Sequence, residues 1–119
     1  MKDNVILDKS KLFAVRIVKL YRMLSSVNNE YVLSRQVLRS GTSIGANVRE
    51  AQHSQSKKDF IHKMSIALKE AYETEYWLEL LNETDYIKPK LFESLYSDCN
   101  ELNRLLTSIV RTSREEPDL

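Results

Sequence analysis

An all-α fold, an antiparallel up-down-up-down bundle of four helices, follows from three features of this 119-residue chain. Breakers are scarce: two Gly and two Pro occur in all. An all-β fold needs turn residues at every hairpin, and they are missing. Four long segments carry apolar residues at steps of three and four, the period of a helix with one buried face. Short polar links separate those segments, which places successive helices antiparallel.

The first helix is predicted over about 9–25. Phe13, Ile17, Leu20, Tyr21 and Leu24 share one face, and Asp8 or Ser10 can cap the start. Lys11, Arg16, Lys19 and Arg22 populate the rest of its surface. Residues 26–30, with Asn28 and Asn29, form the first turn. A second helix is predicted over about 32–54. Val37, Gly41, Ile44, Val48 and Ala51 mark its apolar face, and Ser40, Ser43, Asn47, Glu50 and Ser54 mark a polar stripe beside it. Gly costs about 1 kcal/mol in a helix interior relative to Ala. Two of them four apart therefore predict the close approach of another helix.

Ser56, three residues before Asp59, resembles a capping box and opens a third helix over about 57–81. Phe60, Met64, Ala67, Leu68, Ala71, Thr74 and Leu78 keep the period. Lysines gather at its start and glutamates at its end, against the helix dipole. Pro89 fits the first turn of a fourth helix over about 89–112. Its stripe is Leu91, Leu95, Cys99, Leu102, Leu105, Leu106 and Ile109. The tail, 113–119, is expected to fray. Residues 1–119 thus make a single domain, with one core and no room for a separate nucleotide-binding unit.

Several function classes fall away at this level. One cysteine, Cys99, gives neither a disulfide framework nor a multi-cysteine zinc site. No apolar run reaches the length of a membrane span or a signal peptide, so a cytoplasmic, membrane-free protein is expected. Glu50 and His53 have the Glu-x-x-His spacing of di-iron bundles, with Asp59 and His62 a looser match. The first helix offers no carboxylate in its body to complete such a site, so no metal and no cofactor are expected. Residues 41–47 lack the Lys and the preceding strand of a phosphate loop. Trp77, Tyr72 and Tyr76 can stack on bases, but at helical spacing they fit core or subunit packing better.

Charge is the strongest functional signal. Residues 1–69 carry 13 Lys and Arg against 5 Asp and Glu, a net +8. Residues 70–119 carry 5 against 12, a net −7. A basic surface can neutralise phosphates and release counterions. Arg35, Arg39, Arg49, Lys57, Lys58 and Lys63 are the candidate nucleic-acid-binding residues, for RNA or DNA, with no catalytic residue assigned. Arg39 can instead pair with Glu50 or with an acid of a partner. The same split also suits a head-to-tail ring of subunits.

Family resemblance rests on a block of residues. Ser10-Lys11-Leu12-Phe13-Ala14, Tyr31-Val32-Leu33, Gln36 and the run from Arg39 to Ala51 come first. Ser56, Asp59-Phe60, Lys63, Ile66 to Ala71 and Tyr76-Trp77-Leu78 follow. Together they resemble the four-helix-bundle proteins encoded in intervening sequences of bacterial 23S ribosomal RNA genes, often labelled ribosomal-protein-like. Within the block Arg39, Ser40, Ser43, Ile44, Asn47, Glu50, Asp59 and Phe60 form the family motif, in a structural or interface role. That resemblance implies an up-down bundle assembling as a ring-shaped homopentamer; the residues themselves are read as those of a non-enzymatic protein. The family is also similar to the accessory variability protein of diversity-generating retroelements, a basic pentameric barrel that binds nucleic acid and a reverse transcriptase. Two other readings stay open: a scaffold that recruits a protein partner such as a reverse transcriptase, and a ribonuclease. The latter rests on Arg49 and His53, which resemble the Arg/His pair of HEPN ribonucleases, with three intervening residues instead of four to six.

Overall fold

The computed structural model describes residues 4–117. Its helices are α1 (Asn4–Ser26), α2 (Leu33–Ala51), α3 (Lys57–Glu83) and α4 (Pro89–Glu115). Each packs on the next, and α4 returns to α1 along the least intimate seam. Contacts across the seams run in opposite directions along the chain. Arg39 meets Glu73 while Glu50 meets Lys63, and Lys9 meets Glu101 while Arg16 meets Asp98. The helices are therefore antiparallel, in a bundle of 52 × 22 × 21 Å.

The helical period dictates the core. Phe13, Ile17, Leu20 and Leu24 from α1 meet Val37, Ile44 and Val48 from α2. Met64, Ala67, Ala71, Leu78 and Leu81 from α3 meet Leu95, Cys99, Leu102, Leu106 and Val110 from α4. Each large aliphatic side chain removed from water stabilises the fold by about 1.5–3 kcal/mol. The two glycines are where α1 and α2 come closest. A Cβ on Gly41 would lie 2.8 Å from both γ carbons of Ile17, and one on Gly45 would lie 3.3 Å from the Ser10 carbonyl oxygen. Close helix approach, predicted from their spacing, is what they provide.

Helix ends depart from the sequence reading in four places. First, α1 begins at Asn4, so Asp8 and Ser10 lie inside the helix and cap nothing. Ile6, 3% exposed, extends the buried stripe one more turn, and Ser10 sits within that stripe with its hydroxyl donating to the Leu7 carbonyl at 3.1 Å. Second, α2 begins at Leu33, and its cap is Glu30. That carboxylate accepts the backbone N–H groups of Val32, Leu33 and Ser34 at 3.1, 2.9 and 2.7 Å. A negative charge on three free N–H groups is favoured at a helix start. Asn29, at φ 54°, turns the chain just before it.

Third, α2 ends at Ala51 instead of 54. The N–H groups of Gln52, His53 and Ser54 each bond a carbonyl three residues back, which tightens the last turn out of the α-helix. Ser56 then caps α3 as expected, its hydroxyl accepting the Asp59 N–H at 3.0 Å. Fourth, α3 and α4 run on to Glu83 and Glu115. The predicted fraying from 113 is displaced because Val110 and the half-buried Ser113 keep the last turns packed. Glu116 turns extended (φ −72°, ψ 142°), as the residue before a proline must. Residues 118 and 119 of the expected tail lie outside the described residues.

Candidate nucleic-acid interface

Packing divides the six candidate bases among three places. Arg39 belongs to the α2–α3 seam. Its guanidinium bonds Glu73 and reaches Glu70 at 3.4 Å. The hydrogen bond to Glu73 raises the Arg39 pKa. In turn Glu73 is held below its ordinary range, first by the Trp77 indole N–H at 2.9 Å and then by Arg39. Lys63 bonds Glu50 at 2.9 Å, which raises its pKa. Arg39 therefore pairs with α3 acids, and Glu50, its alternative partner in the sequence reading, pairs with Lys63 instead. Lys57 lies at one end of the bundle, half-buried, with its ammonium donating to the Glu116 backbone carbonyl.

Much of the family motif forms the same seam. Ser40 is fully buried and its hydroxyl bonds that of Thr74 at 2.9 Å. Ile44 is core, and Phe60 packs against the core from its edge. Ser43 donates to the Arg39 carbonyl at 2.7 Å, and the Asn47 amide donates to the Ser43 carbonyl at 2.8 Å. Along the polar stripe of α2, then, Ser40 and Glu50 reach α3 while Ser43 and Asn47 bond carbonyls of their own helix, and Asp59 lies in the capped first turn of α3.

Arg35, Arg49 and Lys58 stay exposed, without an acidic partner within salt-bridge distance among the described residues. Arg35 and Arg49 are 14 residues apart, nearly four turns, so they share the outer face of α2. On α1, Lys11 and Arg22 are 11 apart, three turns, and share the face beside it. Both are exposed and unpaired among the described residues. Between the two helices runs a shallow groove of ≈ 470 Å³, with Lys11 and Arg49 on opposite walls, Glu50 next to Arg49, and Ala14, Thr42, Gly45 and Ala46 between them. The structure brings Arg35 and Arg49 together with Lys11 and Arg22, which sequence reasoning had left out of the site. Their spacing of whole helical turns was the available signal.

The rest of the surface is different. Across α3 and α4, Glu79 bonds the Tyr96 hydroxyl at 2.5 Å, which pushes that phenol up to about 12. Burial raises the Glu75 carboxyl, whose partner is the Asn103 amide. Burial likewise raises the Cys99 thiol, a core group whose sulfur lies 3.3 Å from the Ala71 carbonyl. Tyr72 and Tyr76 stand exposed on the outer face of α3, and Trp77 is half-buried. His53 is exposed in the turn after α2, near the end that carries Arg49. Among the described residues, no three His, Cys, Asp or Glu side chains are grouped to hold a metal ion. No described helix is long and apolar enough to cross a membrane.

These features define an all-α bundle with one face that carries four exposed bases and a hydrogen-bonded seam. The chain belongs to the family of 23S rRNA-intervening sequence proteins, whose model matches residues 2–108. It is similar in structure to a protein of unknown function from the S23 ribosomal protein family of Bacteroides thetaiotaomicron. The two share 60% sequence identity at a TM-score of 0.91, over 93% of this chain and 99% of that one. Among the curated proteins no relative is found.

Proposed function

We propose that this is a non-enzymatic, cytoplasmic, homo-oligomeric bundle that binds structured nucleic acid through the α1–α2 face. The observation that carries the reading is the exposed quartet Lys11, Arg22, Arg35 and Arg49, unpaired among the described residues. The binding is led by charge and shape, because long basic side chains over a floor of small residues can neutralise two rows of phosphates and have little with which to read base edges. Lys58 is exposed on the first turn of α3, apart from this face, and Arg39, Lys57 and Lys63 contribute less, being engaged within the chain. The test is a salt series with a fluorescent RNA hairpin and duplex DNA. Arg35→Glu with Arg49→Glu is expected to weaken binding and flatten the log–log salt slope by about two. Unchanged affinity and slope would falsify the assignment.

A second reading, a ring-forming scaffold, is favoured by exposed apolar side chains at opposite corners. Leu12 is 67% exposed on α1, and Tyr72 and Tyr76 are 54% and 56% exposed on α3. Surfaces on opposite corners join head to tail, which closes a ring when the rotation allows. The homopentamer implied by family resemblance is of this kind, and such a ring could recruit a reverse transcriptase or another protein. Light scattering on Leu12→Glu decides it: a smaller particle supports the ring contact, and an unchanged one removes Leu12 from it.

A further inference from the structure

The α3–α4 groove holds a set of polar groups that lies apart from the basic face. Tyr72 and Glu75, three apart, line its α3 wall, and Asn103, Arg104, Thr107 and Arg111 line its α4 wall. Its volume of ≈ 370 Å³ is in the range of small-molecule sites. Asn103 is only 5% exposed. Its amide N–H donates to Glu75, while its carbonyl oxygen has no partner among the described residues. Arg104 and Arg111 are exposed and unpaired among the described residues, in the half of the chain with a net charge of −7.

We propose that this groove binds a guanine nucleotide, either free or as an unpaired residue of an RNA strand. Guanine presents two neighbouring donors, N1–H and the N2 amino group, and the two oxygens of the Glu75 carboxylate are the matching acceptors. Asn103, by donating its amide N–H to Glu75, holds that carboxylate at the groove wall. Tyr72, half-exposed at the rim, supplies a ring on which the base stacks. Arg104 and Arg111 are seven residues apart, about 10 Å along α4, and reach the phosphate. Adenine offers one donor beside an acceptor on the same edge, and that acceptor faces the carboxylate unfavourably. The site is separate from the α1–α2 face, so it stands or falls independently.

Calorimetry on the full chain tests it, with GMP, AMP, guanosine and inorganic phosphate as probes. GMP is expected to bind about tenfold or more tightly than AMP. Glu75→Gln, checked for folding by its melting temperature, is expected to abolish that preference. Arg104→Glu with Arg111→Glu should weaken GMP and leave guanosine unchanged, whereas Arg35→Glu with Arg49→Glu should leave GMP unchanged. A hairpin with one unpaired guanine is compared with the same hairpin carrying adenine. Guanine preference in the hairpin alone assigns the site to RNA, and preference with GMP as well assigns it to nucleotides generally. Absence of binding to GMP and of guanine preference in the hairpin overturns the proposal. So does a preference that survives Glu75→Gln.

Discussion

Two seams of the bundle are built from the same kinds of residue and hold differently. Between α2 and α3 the contact is intimate. A buried Ser40–Thr74 hydroxyl pair lies beneath a charged layer in which Arg39 bridges two glutamates and Glu73 also accepts from Trp77. Between α1 and α4 the helices touch least, and two ion pairs, Arg16–Asp98 at 2.7 Å and Lys9–Glu101 at 3.1 Å, span the gap. A cleft of ≈ 170 Å³ opens there beside Leu12, Phe13 and Leu102. The lesson is that ion pairs mark a seam without fixing its strength. Exposed pairs are worth little in water, whereas buried packing and shared hydrogen bonds set the cost of parting two helices.

The largest expected effect comes from emptying each seam. Ile44→Ala, in a site with no exposure, is expected near the top of the about 2–5 kcal/mol range for such truncations. Leu102→Ala, beside the open cleft, should fall near the bottom of the range, because the α1–α4 walls can relax into the space. Urea unfolding of both variants checks the order, and equal losses would break the comparison.

Next comes backbone approach. Gly41→Ala places a methyl group against Ile17, which is fully buried and has no room to yield. Overpacking of about 1–3 kcal/mol then outweighs the about 1 kcal/mol gained in helix propensity. Gly45→Ala, with a milder contact to a backbone carbonyl, is expected to be close to neutral in the same unfolding assay.

Smaller still is the buried hydroxyl pair. Ser40→Ala should cost about 1 kcal/mol, since Thr74 keeps its bond to the Glu70 carbonyl at 2.8 Å. The smallest effects belong to the charges. Arg16→Ala is expected to cost about 0.2–1 kcal/mol, and 1 M salt should erase the loss. Arg39→Ala should cost somewhat more and keep part of the loss in salt, because Glu73 remains tied to Trp77. The pH dependence sharpens this. Glu73 is depressed in the folded chain, so its contribution is present above the ordinary carboxylate range and is lost as pH falls through its folded value. Tyr96 is raised, so its contribution is present below pH about 10 and lost as the pH rises towards about 12. Stability curves of Glu73→Gln and Tyr96→Phe should flatten at the acid and alkaline ends respectively.

The sequence alone determined the four helices, their buried faces and the close approach at Gly41 and Gly45. Those features depend on periodicity and local sterics, which act over three or four residues and can be read along the chain. The Ser56 cap and Pro89 start are legible for the same reason. The true start of α1 was hidden because Asp8 and Ser10 have the chemistry of caps, and only the seating of Ile6 in the core carries the helix past them. The Glu30 cap of α2 was hidden because a glutamate in a capping box stands three residues after the cap, whereas Glu30 precedes the helix and folds forward onto its N–H groups. The charges were the least legible. A net +8 counts bases without saying which have partners, and Arg39 finds its acid 34 residues away through the register of two antiparallel helices. Packing alone decided that Arg39, Lys57 and Lys63 are held within the chain while Lys11, Arg22, Arg35 and Arg49 face outward, because ion pairing depends on distances across helices that no local pattern encodes.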